Sequence, residues 1–419
     1  MIVRLGRDGQ VAGDRQAAGS GRGARASAGR RLAGPALAAA LLAGLAAGAP
    51  ASAASTQPHS FLTSVSCTSS TACITVGGRA GHDQRDQIIA LSWNGHRWSP
   101  QVPANPNHTQ PNDLNSIACA SPVECFAVGS VGSFNFADHR RLIEMWNGTA
   151  WSVQAFGNPP GTLNTFMTGV SCGGPALCFA VGEKNDNTGM TTGVVLEKWN
   201  GTAWSLQPPL PQPAGALGIG IPAVSCVSPT DCTAVGHVFF PTFTNQGTLA
   251  EHWNGQGWSI EPMPLFGKND QPALFSVSCS GSVCMATGIK FSLSGEGPLA
   301  EWFNGTKWSV TTLATPAGSS GISVEGVACT SAANCYAVGA SGTTSGHTVT
   351  LIEHWNGQRW SVVPSPNATG DNVLIGISCS STQSCMAVGR AFISGTSSST
   401  LAMRLSGGSW TITPTPSPG

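Results

Sequence analysis

All 14 cysteines of this 419-residue chain fall into seven short-range pairs, the first feature of the sequence with chemical potential. The pairs are Cys67/Cys73, Cys119/Cys125, Cys172/Cys178, Cys226/Cys232, Cys279/Cys284, Cys329/Cys335 and Cys379/Cys385. Thiols this close serve as disulfides or as metal ligands. Common zinc sites use tighter Cys spacings and complete the shell with further Cys or His, and no His lies inside any of these pairs. The spacing therefore predicts seven local disulfides and an oxidising destination. Each bridge is expected across the base of a hairpin, as a staple on its loop. On the chain-entropy account each closed loop contributes about 2 kcal/mol.

The remaining reactive side chains are scattered. His252 and His354 share a repeat position with Lys198 and Met145, which reads as a solvated face. The densest polar groups are His82-Asp83-Gln84-Arg85-Asp86 and Asp138-His139-Arg140-Arg141, in equivalent loops. Either could serve acid/base or metal chemistry, or could be solvated loop residues. Asn185-Asp186-Asn187-Thr188-Gly189 has the look of a calcium loop but lacks its later bidentate acid. Glu144, Glu197, Glu251, Glu301 and Glu353 recur at one position, where Leu91 and Met403 stand in the end repeats. Leu and Met cannot ligate a hard cation, so half-buried strand residues with local hydrogen-bond partners are expected. No catalytic, cofactor-binding or metal-binding residue is assigned.

These residues are positioned by a repeat. The first cysteine of each pair recurs every 50 to 54 residues, the regime of propeller blades. Each repeat has four short alternating or β-branched segments bounded by turn formers, in the sixth Val324 to Cys329, Cys335 to Gly339, Thr348 to Trp355 and Trp360 to Val363. The expectation is an all-β, seven-bladed β-propeller with four antiparallel strands and one disulfide per blade. Its repeats cover about 58–104, 110–158, 163–211, 217–264, 270–316, 320–366 and 370–413, inside a domain of 54–413 followed by a Pro/Ser tail, 414–419. A Trp-Asn-Gly-x-x-Trp-Ser motif, as at Trp355 to Ser361, marks the turn between third and fourth strands, with Asn and Gly expected to take positive φ. Phe303 and Leu405 replace the first Trp, whereas the second is constant, which suggests burial between blades. Gly77, Gly129, Gly182, Gly236, Gly288, Gly339 and Gly389 close the second strands, a sign of a bend or a close backbone approach.

Composition fits export. Residues 1–53 read as a signal peptide, with an Arg-rich lead, an apolar run from Leu32 and an Ala51-Ser52-Ala53 ending. That segment holds seven Arg and two acids, so the rest carries 13 basic against 18 acidic residues, a balance of −5. Such a body does not suit nucleic acid. The expected product is secreted, monomeric and without a membrane span.

The Val-Gly strand ending and the later Trp, as in Cys335-Tyr336-Ala337-Val338-Gly339 through Trp360, resemble kelch-type repeats and the central propeller of the galactose-oxidase family. One Gly stands where kelch repeats carry two. The Asn-Gly turn is also similar to the Asp-box of sialidase-type propellers, with a different acid and spacing. Those resemblances imply the fold. Sialidases use a Tyr nucleophile and galactose oxidases use tyrosines at copper, but the single Tyr336 here occupies an apolar strand position.

Strand alternation puts the disulfide loops and Asn-Gly turns on one face. The opposite face carries the connections that vary, and function is expected there. Candidate ligand-face residues are Asp83, Arg85, Asp86, Phe134, Phe136, Asp138, His139, Arg140, Arg141, Asp186, Phe239, Phe240, Phe243 and Phe291, although the phenylalanines could instead prolong strands and pack between blades. The expected role is a binding module for an extracellular protein, cell-surface component or glycan. The alternatives are a polysaccharide-active lyase or hydrolase sited at the central mouth, and a structural envelope component. Close carboxylates at that mouth would favour the enzyme.

Overall fold

The computed structural model describes residues 59–416, apart from 81–85, 107–109, 133–137, 160–163, 186–190, 242–245, 294 and 395–396. The described residues form 28 β-strands and no helix. In unit 1, β1 (His59–Ser69), β2 (Ala72–Ala80), β3 (Asp86–Trp93) and β4 (Trp98–Gln101) pair in chain order as an antiparallel meander. The same meander recurs at 112–156, 164–206, 218–260, 271–311, 319–362 and 371–412, here units 2 to 7. Units 2 to 6 are separate four-stranded sheets, while units 1 and 7 join in one eight-stranded sheet through the parallel pair His59↔Ser398.

Each first strand carries a bulge opposite the unit's constant glycine. In unit 1 Leu62 pairs with Gly77 and Ser64 with Val76, leaving Thr63 as the extra residue. Asn115, Thr168, Phe275, Glu325 and Ile375 are the extra residues of units 2, 3, 5, 6 and 7, and unit 4 fits Ile221 and Pro222 between Gly220 and Ala223. A proline suits a bulge because it has no ladder N–H to lose. The bulge explains the glycines: a Cβ at any of the seven would sit 1.8 to 2.1 Å from a first-strand carbonyl oxygen. The first strand of unit 6 runs Ser319–Ser331, longer than the apolar pattern suggests, with a further irregularity between Ser319 and Gly321.

The cysteines pair within units as all seven expected disulfides, each joining residues directly opposed on first and second strands, such as Cys67↔Cys73, with Cα atoms 3.9 to 4.0 Å apart. Their surroundings add to the picture of hairpin staples. The second cysteines, Cys73, Cys125, Cys178, Cys232, Cys284, Cys335 and Cys385, are buried at 0 to 5% exposure. Each is a member of an apolar cluster shared with the preceding unit, Cys125 with Ile74, Cys178 with Phe126, Cys232 with Phe179, Cys284 with Val235 and Cys385 with Val338. The first cysteines, from Cys67 to Cys379, are half-buried and pack against the same clusters. The reason is that each bridge lies on the sheet face that the preceding unit covers, a contact that spacing within one hairpin does not reveal. These cysteines therefore serve as core residues as well as cross-links.

At the Asn-Gly turns only Gly takes positive φ, between 91° and 95°. The asparagine instead bends its side chain back, and its Oδ1 accepts from the N–H groups two and three residues on at 2.9 to 3.1 Å. In unit 7, without the asparagine, Gly407 and Gly408 both take positive φ in a two-residue hairpin between Ser406 and Ser409.

The core lies between units. Seven apolar clusters each combine side chains from two successive units, and one joins Leu62, Val65 and Leu91 of unit 1 to Met386, Val388 and Ala402 of unit 7. The first strands also touch in succession, the last with the first, so the units close a ring without exchanging a strand.

Two sets of hydrogen bonds reinforce this packing. Near the axis, Ser66, Ser171, Ser225, Ser278 and Ser378 accept through Oγ from the N–H of the next unit's first cysteine at 2.9 to 3.0 Å. The bond from Cys67 N–H to Ser378 crosses the seam. At the rim, the second motif Trp donates its indole N–H to a side chain of the preceding unit: Trp98 to Thr413, Trp151 to Gln101, Trp308 to Glu261 and Trp360 to Thr311. Trp204, Trp258 and Trp410 lack that bond and instead meet Phe126, Phe179 and Tyr336 of the preceding unit edge-on, with centroids 5.1, 5.0 and 5.8 Å apart. The first motif Trp bonds inward, its N–H donating to a disulfide-loop carbonyl in units 1, 3, 4 and 6. Phe303 and Leu405 forgo this bond, which is why packing alone survives at that position.

The bulge geometry yields a test. Gly236→Ala would bring a Cβ within 1.8 Å of the Gly220 carbonyl oxygen, whereas Gly193 has nothing within 4 Å. Denaturant unfolding is expected to show a loss of about 3 kcal/mol or more for Gly236→Ala and a change within about 0.5 kcal/mol for Gly193→Ala. Equal costs would refute the close-approach explanation.

Candidate functional site

The first strands enclose an axial cavity of about 420 Å³. Because the bulge recurs in every unit, the residue four before each first cysteine reaches this lining: Thr63, Asn115 and Thr168 on one arc, then Pro222, Phe275, Glu325 and Ile375. Among the described residues, Glu325 is the single charged side chain of the lining. Burial holds its carboxyl above the usual carboxylate range, with the Ser323 hydroxyl and Arg390 pulling it down and Glu296 pushing it up. Phe275 is 39% exposed. On the opposite arc the Thr63 hydroxyl lies 2.7 Å from the Leu114 carbonyl oxygen, Asn115 donates to the Met167 carbonyl at 2.9 Å, and Thr168 donates to that of Val181 at 3.4 Å.

Sequence reasoning missed Glu325. The signal was a column, four residues before the first cysteine, that reads Thr, Asn, Thr, Pro, Phe, Glu, Ile in an otherwise repetitive setting. Only the bulge turns that column toward the axis.

The polar group of unit 2 does not converge. Asp138 accepts from Gln110 at 2.7 Å, His139 stacks on Phe166 at 4.1 Å, Arg140 lies 6.0 Å from the Phe156 ring, and Arg141 pairs with Glu197 at 2.9 Å. Four consecutive side chains are thus aimed at four different neighbours. Phe239, Phe240 and Phe291 are half-buried: Phe239 abuts His237 at 4.6 Å, Phe240 packs on the core between units 3 and 4, and Phe291 extends a strand opposite Gln271. These placements match the packing alternative for the phenylalanines. Phe134, Phe136, Phe243, Asp83, Arg85 and Asp186 lie outside the described residues, and Asp86 begins β3. Among the described residues, no three His, Cys, Asp or Glu side chains group as a metal site.

Two histidines of the face expected to be solvated are partly exposed and hold neighbours there. His252 lies 3.1 Å from Asp231 and His354 lies 2.8 Å from Asn334, and burial lowers the pKa of His354. Both acceptors precede a second cysteine, so the third strand is tied to the disulfide hairpin. Tyr336 packs among His354, Trp410 and the core of units 6 and 7, and burial raises its pKa.

The recurring glutamates are fully buried, at 0 to 1% exposure, not half-buried. They face the connections and neighbouring units that fold over the third strand, which the sequence of one strand cannot reveal. Glu144 accepts from the N–H groups of Ala104 and Asn105, Glu353 from Ala314, and Glu197 takes Arg141 as its counter-charge. Burial raises all five pKa values. Glu353 and Glu301 rise to about 7, with the Thr248 hydroxyl restraining Glu301. Glu251, whose oxygens have no hydrogen-bond partner, rises to about 8.

No protein-family model matches the chain, and a search of curated proteins finds no match. Solved structures do resemble it. YCF48 from Cyanidioschyzon merolae aligns with a TM-score of 0.51 at 13% identity, covering 83% of this chain and 96% of that one. The β-propeller domain of the Trilobed protease from Pyrococcus furiosus, described as having an open velcro topology, aligns with a TM-score of 0.51 at 8% identity, covering 84% and 95%. Similarity at this level establishes the fold: the chain is a β-propeller. It does not reach the finer kelch or galactose-oxidase likeness.

The glutamates predict an unusual pH dependence. Glu251 has a folded pKa of about 8 against an ordinary 4.5, so the folded state binds its proton more tightly than the unfolded chain. The associated stability is fully present below the ordinary value and is lost as pH rises through the folded one. Between pH 5 and pH 9 the wild type is expected to lose on the order of 3 kcal/mol at this residue, and Glu251→Gln to lose correspondingly less. Unfolding free energies at the two pH values check this, and identical pH slopes would refute it.

Proposed function

We propose that the chain is a seven-bladed propeller in which the eight-stranded sheet is two adjoining blades, exported as a monomer, and serving as a binding module that contacts an extracellular protein or cell-surface component through its loop face. The observation that carries this reading is the asymmetry between faces. Disulfide hairpins and Asn-Gly turns make one face nearly uniform, while the connections that emerge opposite hold most of the strongly exposed large apolar side chains. Val102 (87%), Leu217 (71%) and Leu265 (99%) lie between units, Leu293 (87%) lies between second and third strands, and Ile393 (53%) stands near the end of a second strand. Apolar groups left in water on variable loops of a rigid scaffold are the usual material of a protein contact. A glycan has less support, because every Trp belongs to a strand and none stands as a stacking platform on the loops.

Seven disulfides support an extracellular destination. Among the described residues no helix is long and apolar enough to cross a membrane. The paired carboxylates of glycoside hydrolysis find no support among the described residues of the axial cavity, which bring a single carboxylate.

The test combines location with contact. Expressed from its full gene, the protein is expected in the medium with an N-terminus near residue 54 and no free thiol; retention as a reduced cytoplasmic chain would overturn the export reading. Leu265→Asp with Leu293→Asp should abolish capture of its partner, whereas Val123→Asp, in a disulfide loop of the uniform face, should leave capture intact. Equal capture by both variants would remove the loop face from consideration.

A further inference from the structure

We infer that the axial cavity is a second site, distinct from the loop face, for a small organic ammonium ion held between Glu325 and Phe275. The inference stands whether or not the loop face binds a protein. It begins with the bulge, which places one variable residue from every unit on the cavity wall while the ladder resumes on either side of it. The residues at those positions are not those of a mere filler. Pro222, Phe275 and Ile375 form an apolar stretch interrupted by one carboxylate, and Thr63, Asn115 and Thr168 are polar.

Glu325 and Phe275 come from adjacent units, 6 and 5, so a carboxylate and a partly exposed aromatic residue both line the cavity. That pair suits an ammonium group, which gains from the anion and from the ring face together, more so where water is scarce. The opposite arc agrees. Thr63 and Thr168 direct their only hydroxyl hydrogens at wall carbonyls, so their remaining capacity is to accept. A cavity rich in acceptors and holding one negative charge selects a ligand rich in N–H donors. Its volume of about 420 Å³ falls in the range of small-molecule sites. The serines nearer the disulfides accept backbone N–H groups through Oγ and keep their own hydrogens, which suits hydroxyl groups on the ligand.

Occupancy depends on the ionised carboxylate. Burial raises the pKa of Glu325, and the charges that reach it are Arg390 from unit 7 and Glu296 from unit 5, of opposite sign. Binding should therefore strengthen as pH rises and Glu325 ionises.

Calorimetric titration of the intact oxidised protein with D-glucosamine and with 1,4-diaminobutane tests this, with D-glucose as the neutral comparison. At least one cation is expected to bind one-to-one, with glucose at least about tenfold weaker than glucosamine. Glu325→Gln should weaken the cation at least about tenfold and Phe275→Leu severalfold, while Val123→Asp, in a disulfide loop outside the cavity lining, leaves it unchanged. Removing a buried charge should not lower the melting temperature, so an unchanged melting curve for Glu325→Gln confirms that folding is not the cause. Phe275→Leu provides a second reading that does not touch the charge. Absence of binding by both cations up to about 20 mM, equal binding of glucose, or unchanged affinity in Glu325→Gln would each overturn the inference.

Discussion

A four-stranded meander with apolar residues on both faces cannot satisfy itself, and the burial of those faces between neighbouring units is the interaction on which the rest of the structure depends. Phe126, Val128 and Ile143 of unit 2 are covered by Met167, Val170 and Trp199 of unit 3, and the pattern repeats until Met386 and Val388 of unit 7 are covered by unit 1. Each unit is thus both core and lid. The consequence is a ring that must close, and closure here uses kinds of contact found at other junctions: an apolar cluster, a serine bond from Cys67 to Ser378, and a Trp98 bond to Thr413. With no exchanged strand to latch the ends, the local disulfides stiffen each meander where an entropic cost would otherwise fall on the ring. Their buried halves, such as Cys125 and Cys232, also fill the junction they stiffen.

Close packing of first strands around the axis has a second consequence. The ladder must shed one residue per unit to bring the second-strand glycine against a carbonyl oxygen, and the shed residue becomes the bulge. Its neighbours are tightly constrained. Gly169, Gly326 and Gly376 have the next unit's bulge carbonyl 2.7 to 2.8 Å from where a Cβ would stand, and at equivalent positions Ser64, Ser116 and Ser276 bond across the junction. The bulge side chain alone escapes those demands. That freedom is how an anion such as Glu325 can enter the axis, where the other described lining residues are uncharged.

The buried glutamates show the electrostatic cost of covering the third strand with a connection. Where the connection supplies N–H donors, as Ala104 and Asn105 do for Glu144, the carboxylate organises the chain that passes over it. Where an arginine is in reach, as for Glu197, it takes a counter-charge. Glu251 has neither, and its high pKa is the physical trace of that lack. Leu91 and Met403 fill the same column in the end units without any such requirement, so the acid serves the connection and not the strand.

By itself the sequence determined the repeat, the four strands in each unit, the local disulfides and the two unlike faces. These follow from short-range order: Cys67 and Cys73 sit on one hairpin, and Trp355 and Trp360 flank one turn, so spacing alone brings them together. The need for glycine at position 236 was visible as well, though not its cause. Only the tertiary structure decided what faces what across a junction. It buried the five glutamates and the second cysteine of every bridge, and it sent Asp138, His139, Arg140 and Arg141 to four separate neighbours. It also brought Glu325 and Phe275 to the same axial cavity. Those contacts join residues about 50 positions apart or at opposite ends of the chain, and a one-residue bulge sets which side chain points where. No periodicity along a single strand encodes that choice, because the bulge is imposed by the ring the strands must close.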